Sequence, residues 1–289
     1  MRITEHRMIE LASESLSSSR SRVARAGEQL NSGERVSLPS QDPTAWAAGR
    51  RAEAARVMNE GRGEALARAQ ERMTQVEGAL SQIGSALSRA QELAVMASSE
   101  TIDEESLDAI AIELSGLRQS ALAAANARAS DGEYLLAGSQ TDQPAFDANG
   151  VYQGDGLSRQ METQNGVEQR VTITGEVLTA TSGVDVFAQL AALEAAVQTN
   201  DRDGIAAAID AMRAAHRQVS TARADGGAQS ASLMAAEATQ QELDGSLVAL
   251  HSRLVGADPI TAASELAQHS QALEAAQIVA ARIFELTRP

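Results

Sequence analysis

From Leu66 to Ala94 the apolar residues of this chain recur at steps of three and four without a miss: Leu66, Ala69, Met73, Val76, Leu80, Ile83, Leu87, Ala90, Ala94. Steps of that size hold all nine side chains on one stripe of an α-helix. At 1.5 Å per residue the stripe alone is about 42 Å long. A helix of this length needs partner helices of similar length to keep its seam dry. A second stripe follows: Leu107, Ile110, Leu114, Leu117, Ala121 and Ala124, after "SSETIDEESL", whose acids suit a helix start. Two such helices joined by a short turn read as an antiparallel pair.

Composition enters here because it removes the alternative of one large globular core. The 289 residues include only six aromatics: Trp46, Tyr134, Phe146, Tyr152, Phe187 and Phe284. Aromatic side chains supply much of the buried area of compact cores. The chain is rich instead in the helix formers Ala, Leu, Gln, Glu and Arg. There is no cysteine, which excludes disulfides and thiolate metal sites, and all 24 basic residues are arginine. Residues 1–72 carry 12 Arg against 10 Asp and Glu, whereas the remainder carries 12 against 29. So acidic a chain is a poor partner for nucleic acid or an anionic membrane. Its first residues lack the continuous apolar run of a secretory signal, and no stretch approaches the ~20 apolar residues of a membrane span. Any route out of the cell would therefore not use a cleaved apolar signal.

Both ends repeat with period seven. Ile9, Leu16, Val23 and Leu30 form a row of large residues, beside a small row of Ala12, Ser19, Ala26 and Gly33. The last segment repeats Ala262, His269, Ala276 and Ile283, flanked by Leu266 and Leu273. These are coiled-coil seams. They are too sparse to offset the entropy of ordering the arms alone, so each arm needs a partner. Each is set off by proline. In "GERVSLPSQDPTAWAAGRR" Pro39 and Pro43 cannot lie inside a regular helix, and Asp42-Pro43 reads as an N-cap followed by the first helical residue. One helix should stop near Gly33 and the next begin near Asp42. Asp258-Pro259 makes the matching break, so "LPSQDP" and "ADP" read as paired hinges at the base of two arms that meet in space.

Between the helices, residues 131–183 carry "NG", "DG" and "GDG" turns and short β-prone runs such as "QRVTITG", and four of the six aromatics lie from Tyr134 to Phe187. Helical periodicity resumes near Asp185, and "TNDRDGIAAAIDAM" opens another helix. "RADGGAQS" separates that one from a long helix bearing Leu243, Leu247, Leu250 and Leu254 on one face.

The pattern predicts a mainly α chain with a small β-rich insertion (α+β), arranged as an elongated multi-domain rod of long antiparallel helices whose N- and C-terminal helices pair as a coiled coil. Three regions are expected: terminal arms over 1–40 with 258–289, a helical rod over 41–130 with 185–257, and a β-rich outer region over 131–184. The candidate assembly interface is Ile9, Leu16, Val23, Leu30, Leu266, Leu273 and Ile283; the candidate hinge is Pro39, Asp42 and Pro43. Catalytic, metal and cofactor sites are not expected. Asp201, Asp203, Gly204 and Asp210 lie near calcium-loop offsets, but the first position would be Thr199 and the last is not Glu, so helix capping before Ile205 is the better reading. His6, His216, His251 and His269 share no metal-ligand or triad spacing. No nucleophile elbow or phosphate loop is present.

The segment "LNSGERVSLPSQDPTAWAAGRR" resembles the N-terminal signature of the bacterial flagellin superfamily: a Ser-Gly-basic run, Pro-Ser-x-Asp-Pro, then an Ala-rich helix. "VEGALSQIGSALSRAQELAVMASS" is similar to the helix that follows in that superfamily. "DGEYLLAGSQTDQPAF" and "VYQGD" are more similar to its hook-associated protein three family than to the filament proteins. "SELAQHSQALEAAQIVAARIFEL" is similar to that family's C-terminal helix. Trp46 stands where smaller residues are usual, and the sequence ends at Thr287-Arg288-Pro289 without an extended apolar tail. The resemblance implies a non-enzymatic structural adaptor without cofactors. It would be exported unfolded through the flagellar type III apparatus and located outside the cell at the hook–filament junction. Its implied partners are copies of itself in a ring, a neighbouring hook-associated protein, flagellin, and an export chaperone at the C-terminal helix. Arms left unsatisfied until neighbours supply the other half of each seam fit that life history. A filament subunit is the nearest alternative reading, and a cytoplasmic helical scaffold a more distant one.

Overall fold

The computed structural model describes residues 2–164 and 167–286. Six α-helices carry the chain: α1 (Arg2–Ser32), α2 (Pro43–Ala97), α3 (Glu104–Ala125), α4 (Val186–Gln198), α5 (Arg202–Val255) and α6 (Pro259–Leu286). Two short strands, β1 (Gln160–Gln164) and β2 (Val167–Arg170), pair antiparallel with Gln160 opposite Arg170. Asn165 and Gly166 between them lie outside the described residues, as do Met1 and Thr287–Pro289. Mainly α with a small β part is the observed class. Among the described residues no helix is long and apolar enough to cross a membrane.

The chain divides into two compact units, Met1–Glu60 with Glu242–Pro289, and Gly61–Gln241. In the second, α2 and α5 run antiparallel: Gln70 bonds Ser230 (2.6 Å), Arg223 reaches Glu77 (3.4 Å), Ser88 meets His216 (3.3 Å) and Arg202 donates to the Ala97 carbonyl (3.2 Å). Partner numbers fall on one helix as they rise on the other. The Leu66–Ala94 stripe is buried from end to end. α3 folds back beside α2 through Arg89–Glu113 (2.7 Å), and α4 joins α3 through Arg118–Glu194 (2.9 Å).

The insertion is less regular than its β-prone runs suggest. Strand is confined to five and four residues, and Val171–Thr174 of "QRVTITG" lies in no strand. Side chains satisfy the backbone here instead of a sheet. Asn126 bonds both the N–H and the carbonyl of Phe146 (2.9 Å each). Gln218 of α5 accepts from Val184 N and donates towards the carbonyls of Val177, Thr179 and Val184. Phe146 packs on Tyr152 and Phe187, with ring centroids 5.2 and 4.9 Å apart. Arg72, buried on α2, pairs with Glu133 (3.1 Å) and donates to the Tyr134 carbonyl (2.9 Å). Burial pushes its guanidinium below the ordinary arginine value, and Glu133 opposes that shift.

One expectation is overturned. "RADGGAQS" does not separate two helices: α5 runs through it unbroken for 54 residues. Gly226 in that stretch is buried against Ile173, so tertiary packing overrides the local preference of two adjacent glycines to end the helix.

Candidate assembly interface and its hinge

α1 stops where its sequence loses helical character. Gly33 takes φ +70° and its N–H caps the helix at the Gln29 carbonyl (2.9 Å). From Leu38 to Gln41 the chain makes a turn closed by Gln41 N to the Leu38 carbonyl (3.1 Å), with Pro39 at the position whose φ proline presets. The Gln41 side chain also accepts from Ser37 N and Leu38 N. Asp42 then caps α2, accepting from Ala45 N at 2.9 Å, and Pro43 is the first helical residue. Of the three candidate hinge residues, Pro39 and Asp42 lie between the two helices and Pro43 opens α2.

The other half of the break is distant in sequence. Arg35 N and Val36 N donate to the Val255 carbonyl (2.7 and 3.2 Å), and Ala257 N donates to the Gly33 carbonyl (2.8 Å). Glu34 and Gly256 form an antiparallel bridge. Val36 and Val255 are buried, and a Cβ on Gly49 would lie 2.5 Å from a Val255 methyl, so α2 approaches α5 here as closely as glycine allows. Arg35 adds a bond to the Leu254 carbonyl (3.3 Å), and its 4.0 Å pair with Asp42 is exposed and contributes little. Sequence reasoning placed the two breaks but missed Arg35, Val36, Gly49 and Val255; a glycine in the first turns of a helix was the one available signal.

Because α6 begins where α1 ends and the two pack along one another, they run in opposite directions. Their deepest residues are the small ones: Ala12 and Ala26 on α1, Ala262 and Ala280 on α6. Of the candidate interface residues, Ile9, Leu16, Val23, Leu266, Leu273 and Ile283 are half-buried and Leu30 is 39% exposed. Met8, Leu11, Ile278 and Val279 stand further out, each at least half exposed. Among the described residues of this unit, only Val36 and Val255 of the buried apolar ones are larger than alanine. His269 is half-buried on α6, and the His6 side chain lies outside the described residues. Asp201 accepts from Gly204 N (3.1 Å), which is helix capping, and among the described residues no three His, Cys, Asp or Glu side chains cluster as metal ligands would.

Residues 4–141 match the family model of the bacterial flagellin N-terminal helical region. Flagellar hook-associated protein 3 of Salmonella typhimurium is 30% identical over 194 residues, 65% of this chain and 57% of the relative, so the chain spans little more than half that protein's length. The protein of the same description from Escherichia coli K12 is 27% identical over 253 residues, 79% of this chain and 80% of the relative. Among solved structures, FlgL of Bacillus cereus superposes with a TM-score of 0.59 at 20% identity, over 68% of this chain and 96% of that one. The likeness to the flagellins rests on the family model and that to hook-associated protein 3 on the two relatives; the solved structure shows the fold alone.

Proposed function

We propose that this chain, a member of the bacterial flagellin superfamily, is a structural subunit of the flagellum that joins hook to filament, with α1 and α6 as its assembly surface. It acts by being covered, not by catalysis. The observation that carries this reading is the inverted unit that holds both chain ends: alanines face inward, while Met8, Leu11, Leu30, Ile278 and Val279 face water. Apolar area left wet in a lone subunit becomes a driving force once neighbours cover it. The proposal includes the three-part division into arms (1–40 with 258–289), helical body (41–130 with 185–257) and outer region (131–184). It also includes the interface residues Ile9, Leu16, Val23, Leu30, Leu266, Leu273 and Ile283. Partners are further copies in a ring, a neighbouring hook-associated protein and flagellin, with an export chaperone on α6 before secretion.

A strain lacking the gene should keep its hooks and lose its filaments in electron micrographs. Complementation with Leu16→Asp or Leu273→Asp should secrete the protein yet restore no filaments, because each substitution puts a charge, at several kcal/mol per subunit, into a seam that must become dry. Full motility with both variants would refute the assignment of these helices.

A further inference from the structure

The residues of α5 that face the core step through Ile205, Ala208, Met212, Ala215, Val219 and Ala222, reach Gly226 and then Gln229–Ser230, and resume at Leu233 and Ala236. The apolar seam is interrupted for about two helical turns. That gap divides the buried core: one cluster reaches Met73 and Ala222, the other holds Ala69 and Leu233. Polar groups fill the gap without being fully matched. Gln70 Oε1, Arg223 Nε and Gln229 Oε1 are buried there with no hydrogen-bond partner. A buried polar atom left unmatched weakens the packing around it. Local propensity adds nothing, since glycine is the worst helix former after proline.

The two glycines do different things. A Cβ on Gly227 would meet nothing within 4 Å, whereas one on Gly226 would lie 2.9 Å from Ile173 Cδ1. Gly226 is a notch, and Ile173, itself buried, sits over it from the outer region. We infer that residues 223–230 are a built-in break point of α5, helical only while Ile173 is seated on Gly226. With Ile173 in place the helix is continuous. With it withdrawn, the notch keeps only the Met73 sulfur, 3.9 Å from where a Cβ would lie, and α5 divides into the halves that the sequence alone would draw. The inference does not depend on the assembly role.

Hydrogen exchange on the full chain tests it. In the parent, amides 224–231 should exchange at least tenfold faster than amides 209–219 of the same helix. Ile173→Val, which removes only the methyl over Gly226, should speed 224–231 by several fold and leave 209–219 unchanged. Gly227→Ala should slow 224–231 about fivefold, since alanine is the better helix former and the site is open. Equal protection of the two stretches in the parent overturns the inference. So does an Ile173→Val protein in which 224–231 is unaffected or both stretches speed up together, or a Gly227→Ala protein that shows no slowing.

Discussion

Every helix after the first starts on an aspartate. Asp42, Asp103, Asp185 and Asp201 each accept a hydrogen bond from the backbone N–H three residues on, and Asp258 accepts from Ile260 N and the Thr261 hydroxyl. These side chains satisfy amides that a helix start otherwise leaves open, and their charge faces the positive end of the dipole. Hydrogen bonds from Ser106 and from Thr261 are the largest influences that hold Asp103 and Asp258 below the usual carboxylate range. A carboxylate depressed in the folded state stabilises it above the unfolded pKa and stops doing so as pH falls through the folded one. The first turns of α3 and α6 should therefore open on acidification below the ordinary carboxylate range, read as faster exchange of the Ser106 and Ile260 amides once intrinsic rates are corrected. Asp258→Asn keeps a capping oxygen without the titration, so acid opening of α6 should be blunted in that variant and unchanged at α3. Equal acid sensitivity of α6 in variant and parent would show that the cap does not control it.

At the scale of elements, the break between α1 and α2 rests on two supports: prolines that forbid helix, and bonds that tie residues 33–36 to 255–257. Replacing Pro39 and Pro43 with alanine removes a helix penalty of about 3 kcal/mol at each interior site. Against this stand three backbone hydrogen bonds of about 1 kcal/mol each and the burial of Val36, about 2 kcal/mol more. With the prolines gone, helix running through residues 33–42 gains backbone hydrogen bonds of similar size that offset these ties, so a fraction of molecules should carry helix through the break. Faster exchange of the Arg35, Val36 and Ala257 amides, a gain in helical circular dichroism and poor filament formation are expected together. Unchanged exchange at those three amides would mean that the ties to Val255 alone hold the break.

The whole molecule contains two units with unequal interiors. Gly61–Gln241 buries long apolar rows and an aromatic cluster, whereas the unit formed by the chain ends buries, among its described residues, mostly alanine. Small side chains remove little apolar area from water and so contribute little stability. The isolated protein should accordingly open in two steps, with α1 and α6 losing protection first and α2 from Met73 to Ala94 last. Equal protection of α1 and of the Leu80–Leu87 stretch in a monomeric sample would contradict this. In assembled material the α1 and α6 amides should slow strongly, because the large residues left wet in the monomer are then covered.

Features that a residue imposes on its own backbone were determined by the sequence. Gly33, Asp42-Pro43, Asp103, Asp185, Asp201 and Asp258-Pro259 mark the helix boundaries because caps, fixed φ and missing N–H groups act within one turn. The unbroken three-and-four spacing from Leu66 to Ala94 likewise settled the longest buried stripe. The tertiary structure decided what depends on residues far apart in the chain. Ile173 carries helix through Gly226, where local preference alone predicts a stop. Val255 ties down Arg35 and Val36, which no spacing could announce. The N-terminal heptads named both a large and a small row, but only the packing of α1 on α6 put the alanines deepest and left the larger residues partly in water. Local signals survive in one dimension because their physics is local; the choice of partner is made only when the chain closes on itself.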